Sequence, residues 1–141
     1  MFANNPTLNQ IQDIGKNSMS EHVGIEFIEI GKDFLVAKMP VDARTQQPFG
    51  ILHGGASVVL AETLGSVASY LCLPDPSKQQ AVGLDINANH IRPVSEGFVY
   101  GKAQALHIGR STHIWEIKIT NEDQKLVCIS RLTVAIMTIT A

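Results

Sequence analysis

Residues 47–73 read QPFGILHGGASVVLAETLGSVASYLCL and hold one formal charge, Glu62. No other Asp, Glu, Lys or Arg lies between Arg44 and Asp75. From Gly55 to about Cys72 the run is dense in Ala, Leu and Val, and Pro74 and Pro76 follow it. That pattern predicts one long helix with apolar residues nearly all the way round, which needs a sheet to cover it. A lone carboxylate in such a wall is costly to bury without a partner.

The flanks of this helix read mainly as strands. Residues 22–30 (HVGIEFIEI) and 34–41 (FLVAKMPV) are β-branched and aromatic, with a hairpin turn at Gly31-Lys32-Asp33. Pro48 and Gly50 mark residues 42–52 as a loop. Further strands are expected at 81–92, 97–107, 113–120 and 126–138. In the third of these, His113, Trp115, Ile117 and Ile119 face one way and Ile114, Glu116, Lys118 and Thr120 the other. A short helix over 7–15, capped by Thr7 and stopped by Gly15, opens the chain. Short turns between consecutive strands favour antiparallel pairing of neighbours. The expected fold is α+β, with a curved antiparallel sheet around one long helix. Residues 1–141 are expected to form a single domain, with 1–20 as a helical extension.

Bulk properties narrow the function. A chain of 141 residues with 45% hydrophobic and 17% charged residues suits a folded globular domain rather than disorder. A net charge of −2 gives no nucleic-acid footprint. The opening segment lacks the apolar core of a signal peptide, and no stretch has the make-up of a membrane span. A cytoplasmic protein is therefore expected, with Cys72 and Cys128 as unpaired core residues. Metal-ligand spacing, GxGxxG, P-loop and GxSxG motifs are all absent, and no cofactor is expected.

His53-Gly54-Gly55 sits at the expected helix start. The first N–H groups there have no intrahelical partner, and glycine allows close approach of a substrate. A carbonyl oxygen held there would be polarised. A plain loop-to-helix turn is the simpler alternative. Glu62 lies eight residues further on, roughly 12 Å along the axis. One carbonyl cannot reach both groups within one chain. Two such helices antiparallel across a two-fold axis would bring Glu62 of one copy to Gly54 of the other. A catalytic reading therefore requires at least a dimer, whereas the alternative ties Glu62 to backbone or to an arginine.

His53 either hydrogen-bonds a substrate or simply begins the helix. Gln47 either positions a carbonyl or water or lies at the surface. Ser66, at i+4 from Glu62, either holds Glu62 or water or bonds its own backbone. Arg92 and Arg110, at two strand ends, form a second polar cluster that could grip phosphates; solvated surface turns are the alternative.

Taken together, QPFGILHGGASVVLAETLGSVAS resembles the signature of hotdog-fold acyl-CoA thioesterases, in the branch of phenylacetate-pathway and 4-hydroxybenzoyl-CoA thioesterases. VGLDINANHIRP and the Gly109–Thr112 turn resemble that family's later strands. The resemblance implies a long helix wrapped by five or six antiparallel strands. It also implies sites at a homodimer interface, commonly in a dimer of dimers. By position, Glu62 matches the catalytic nucleophile or general base, and Gly54 the N–H that polarises the thioester carbonyl. His53 and Gln47 match groups that support that end, and Ser66 a hydroxyl of the hydrolytic step. Gly83, His90 and Arg92 match the region that holds CoA, as do His107, Gly109, Arg110, Ser111 and Thr112. The implied activity is acyl-CoA hydrolysis, with aryl or fatty acyl groups both open. A hotdog dehydratase and a non-catalytic acyl-CoA-binding module are the alternatives.

Overall fold

The computed structural model describes residues 1–140; Ala141, the end of the expected domain, lies outside them. Two short helices, α1 (Leu8–Ile14) and α2 (Met19–His22), precede a hairpin of β1 (Glu26–Ile30) and β2 (Phe34–Pro40). The long helix α3 spans Gly54–Leu71. Four strands follow: β3 (Gln79–His90), β4 (Phe98–Ile108), β5 (Thr112–Thr120) and β6 (Leu126–Thr138). All six strands pair antiparallel in the order β1-β2-β4-β5-β6-β3 and wrap α3, which is the hotdog architecture.

The first helix forms where its caps stand. Thr7 accepts from the Gln10 N–H, and the Gln10 side chain accepts from the Thr7 N–H, a reciprocal capping box. The next expectation is corrected. Residues 22–25 do not begin the strand, because Gly24 turns the chain at φ +79° and residues 19–22 coil into α2. The strand starts at Glu26, after the Gln12 amide has bonded the Ile25 carbonyl and the Phe27 N–H. α3 begins at Gly54, one residue earlier than expected, because His53 is its N-cap.

A second correction concerns topology. β3 and β4 are consecutive yet do not pair; β3 lies at the sheet edge against β6. The link between them crosses the end of the sheet. Its Ile91 N–H bonds Val127, its Val94 carbonyl accepts from Leu52, and its Gly97 carbonyl accepts from Val41. These bonds replace the hairpin that adjacency in sequence suggests.

The inward face of β5 carries His113, Trp115, Ile117 and Ile119, all buried as the alternation predicts. Trp115, Ile117 and Ile119 pack with Leu60, Leu64, Leu132 and Val134 around α3. Two contacts key the helix to the sheet. Gly65 leaves room for Leu132, whose Cδ2 would lie 2.5 Å from a Cβ added there. The Trp115 Nε1–H donates to Ser69 Oγ at 2.7 Å inside the core. Ser69→Ala should strand that N–H and cost about 1–3 kcal/mol. Thermal unfolding should show a lower Tm, with Ser69→Thr falling less.

α3 is not covered all round within one protomer. Gly55 and Tyr70 are exposed, and Val59, Glu62, Thr63 and Ser66 are only half-buried. These residues share one face of the helix. The adjoining β3 is twelve residues long, and its outer edge pairs with no strand among the described residues.

Candidate active site

The loop before α3 is built tightly. Gln47 donates its N–H to the Ile51 carbonyl, and its own carbonyl accepts from Gly50. Its side-chain Oε1 accepts from the Phe49 N–H, so this amide shapes the turn. Phe49, at the tip, is 89% exposed.

His53 is exposed, and its Nδ1 accepts the Gly55 N–H at 2.7 Å. The Ala56 and Ser57 N–H groups bond the His53 carbonyl. The Gly54 N–H alone among these has no acceptor within the described residues. The helix start thus presents one unclaimed donor at the positive end of its dipole. The absence of a Gly54 side chain admits His90, whose Nε2 would lie 2.9 Å from an added Cβ.

Glu62 projects toward β3. Its Oε1 would lie 2.8 Å from a Cβ on Gly83, so glycine there leaves the carboxylate its space. Glu62 makes no hydrogen bond or ion pair among the described residues, so it is not a carboxylate tied to backbone or arginine. The Ser66 hydroxyl, one turn on, is not bonded to it. The Gly83–Leu84 bulge resets the strand, so that Ala81 and Gly83 before it and Ile86 and Ala88 after it all turn toward α3. Gly83→Ala should push the carboxylate aside while costing little stability, because the contact is with a flexible side-chain tip. If the carboxylate takes part in catalysis, kcat should fall about tenfold or more with Tm nearly unchanged, as measured by steady-state kinetics and thermal unfolding.

The second cluster is not brought together. Arg92 bonds the Leu126 carbonyl at 2.6 Å, at the start of β6. Ser111 accepts from the Ile136 N–H near that strand's other end. Ten strand residues separate these points, roughly 33 Å. His90 and Arg92 therefore lie at one end of the sheet. The turn of His107, Gly109, Arg110, Ser111 and Thr112 lies at the other, closed by the Gly109 N–H on the Thr112 carbonyl. The Arg110 side chain has no partner among the described residues.

Two features escaped the sequence reading. His113, 3% exposed beneath that turn, has a buried Nδ1 without a partner; burial pushes its pKa below the usual histidine value. A cavity of about 320 Å³ opens between α2 and the first turns of α3. Its walls come from residues far apart in the chain, so no local pattern announces it. Cys72 and Cys128 are both unpaired, and burial raises the Cys72 thiol to about 11. Among the described residues no cluster of His, Cys, Asp or Glu could hold a metal, and no helix is long and apolar enough to cross a membrane.

This geometry has relatives. The chain is 52% identical over 131 residues to the 1,4-dihydroxy-2-naphthoyl-CoA hydrolase of Escherichia coli, covering 93% of this chain and 95% of that protein. It is 50% identical over 131 residues to the proofreading thioesterase EntH of Cronobacter turicensis, covering 93% and 94%. The crystal structure of a mutant thioesterase from Pseudomonas aeruginosa superposes with a TM-score of 0.95 at 49% identity, over 98% of this chain and 99% of that one. The family model described as the Thioesterase superfamily matches residues 49–128, from the loop before α3 to the start of β6. The unclaimed N–H at Gly54 and the unpartnered Glu62 carboxylate both fall inside that span, and the chain belongs to the Thioesterase superfamily, as an enzyme of thioester hydrolysis.

Proposed function

We propose that the protein hydrolyses aryl-CoA thioesters, with 1,4-dihydroxy-2-naphthoyl-CoA of menaquinone synthesis as its physiological substrate. One observation carries the chemistry: an N–H at Gly54 and a carboxylate at Glu62, each without a partner among the described residues, on the same helix about two turns apart. The choice of substrate is supported by the relative that bears that activity at 52% identity. The EntH relatives, named as proofreading thioesterases, favour a second reading, a proofreading role in thioester hydrolysis.

The working unit is a homodimer with shared sites, paired through the open β3 edge and the uncovered face of α3, and further assembled as a dimer of dimers. A long unpaired edge strand is a template for a second copy. Unpaired thiols fit a cytoplasmic setting. In each site the thioester carbonyl oxygen accepts from the Gly54 N–H of one protomer, while Glu62 of the partner subunit faces the carbonyl carbon. Charge on the oxygen is stabilised there as the C–O bond forms. Glu62 either removes a proton from the attacking water or attacks the carbon itself, giving a mixed anhydride that water then cleaves. The C–S bond breaks, and the products are the free acid and the CoA thiol. His53 and Gln47 hold the carbonyl end, Ser66 assists the water, and the CoA moiety spans His90 and Arg92 and the partner's 107–112 turn.

Free-thiol release from benzoyl, dihydroxynaphthoyl, phenylacetyl and fatty acyl CoA esters, for wild type and Glu62→Ala, tests this. Glu62-dependent release that is fastest for the naphthoyl ester supports it. Faster release from fatty acyl esters overturns the aryl assignment, and Glu62-independent release overturns the mechanism.

A further inference from the structure

We propose that His90 is a catalytic residue of this site, donating a hydrogen bond from its imidazole to the thioester carbonyl oxygen beside Gly54. The proposal rests on the reaction proposed above and adds a second donor to it, a role beyond holding the CoA chain.

The strand register brings the ring to the helix start. After the bulge at Leu84, Ile86 and Ala88 turn toward α3 and pack against the core. His90 is next in that alternating row and is the last residue of β3. On one side it pairs with Cys128 of β6; the other side is the open edge of the sheet. The residue it meets on α3 is Gly54. A Cβ added there would lie 2.9 Å from Nε2, 3.1 Å from Cε1 and 3.3 Å from Cδ2. The imidazole therefore lies over the Gly54 α-carbon, in space that any side chain at Gly54 would fill. From that Cβ position the Gly54 nitrogen is about 2.5 Å away, so it stands within about 5.4 Å of Nε2. Two nitrogens that close leave room for one oxygen within hydrogen-bonding distance of both.

The ring is free for this task. It is exposed and makes no hydrogen bond or ion pair among the described residues. His53, on the neighbouring residue of the helix start, has its Nδ1 taken by the Gly55 N–H. A neutral imidazole keeps one N–H to offer, and such a donor gains strength as charge develops on the oxygen. Oxygen is the better acceptor for it than the departing sulfur. A thiol ionises near 8.5, so the CoA sulfur leaves with little need of a proton. Nor does His90 pair with the Glu62 of its own chain. That carboxylate lies against Gly83, seven residues back along β3, roughly 20 Å away. Within one chain His90 belongs with Gly54, in the half of the site that receives the carbonyl oxygen.

The test uses full-length protein, with the benzoyl group carried on CoA and on N-acetylcysteamine, which lacks the nucleotide. His90→Ala should lower kcat about 10²-fold on both esters, as expected for loss of one oxyanion donor. Binding of a non-hydrolysable CoA thioether should stay within threefold of wild type, and Tm should hardly move, because the ring is exposed and unbonded. His90→Gln, whose amide donates an N–H, should recover part of kcat. Gly54→Ala puts a methyl group where the ring lies, so adding His90→Ala to it should cost less than in wild type. A kcat within threefold of wild type for His90→Ala on both esters would overturn the proposal. So would a loss confined to KM of the CoA ester, which marks a residue that only grips CoA. Absence of thiol release from every ester in wild type would instead remove the reaction on which the proposal rests.

Discussion

Glu62→Gln is expected to lower kcat for thioester hydrolysis by about 10²–10⁴-fold if the carboxylate acts as general base, and further if it attacks the carbonyl directly. Glutamine keeps the size of the side chain and its fit against Gly83 but removes the charge and the basicity. No native interaction is lost, because Glu62 holds no hydrogen bond or ion pair among the described residues. Stability should therefore stay within about 0.5 kcal/mol of wild type. Binding of a non-hydrolysable CoA ester analogue should be nearly unchanged, so the loss appears in kcat and not in KM. The measurement is single-turnover hydrolysis alongside calorimetric binding. Activity within tenfold of wild type would remove Glu62 from the reaction.

The physics that made Glu62 legible in the sequence is the cost of burying charge. One carboxylate in the 47–73 run stood out because every neighbour is apolar or neutral. The helix was legible for a related reason: its length, its apolar density and the prolines at 74 and 76 leave one solution. β5 was legible because His113, Trp115, Ile117 and Ile119 alternate with a period of two, and all four are buried.

Long-range placement was not legible. Periodicity is local, so it could not show that β3 leaves β4 and crosses to β6. That move depends on bonds from Ile91, Val94 and Gly97 to Val127, Leu52 and Val41, none of them near in sequence. Arg92 and Arg110 do not meet within one chain for the same reason: both end strands, but at opposite ends of the sheet. Gly83 was singled out only through family resemblance, as part of a CoA region. In the fold it is the space beside Glu62, a role that register and the bulge at Leu84 create. The start of β1 was misread because the apolar run 22–30 hid a left-handed turn at Gly24.

Gly54→Pro is expected to lower kcat about 10²–10³-fold relative to Gly54→Ala, the size of effect seen when one oxyanion donor is removed. Proline deletes the N–H and little else at this position. Gly54 is the first residue of α3, where proline is well tolerated because that N–H has no helical acceptor. The preceding residue must be extended for proline to follow, and His53 already is, at φ −67° and ψ 131°. Both variants add a Cβ against His90 Nε2, an exposed ring that can swing away, so this effect is shared and cancels in the comparison. In the proposed mechanism, what remains is the hydrogen bond to the carbonyl oxygen, which strengthens as charge develops there. Equal kcat in the two variants would show that the helix start acts only as a turn. If the proline variant is slow, mixing it with Glu62→Gln gives a second result from the same proteins. In the proposed dimer with shared sites, a heterodimer of the two has one site with both groups intact. Activity should then reappear on mixing two inactive preparations, as it would not if each site were built from one chain.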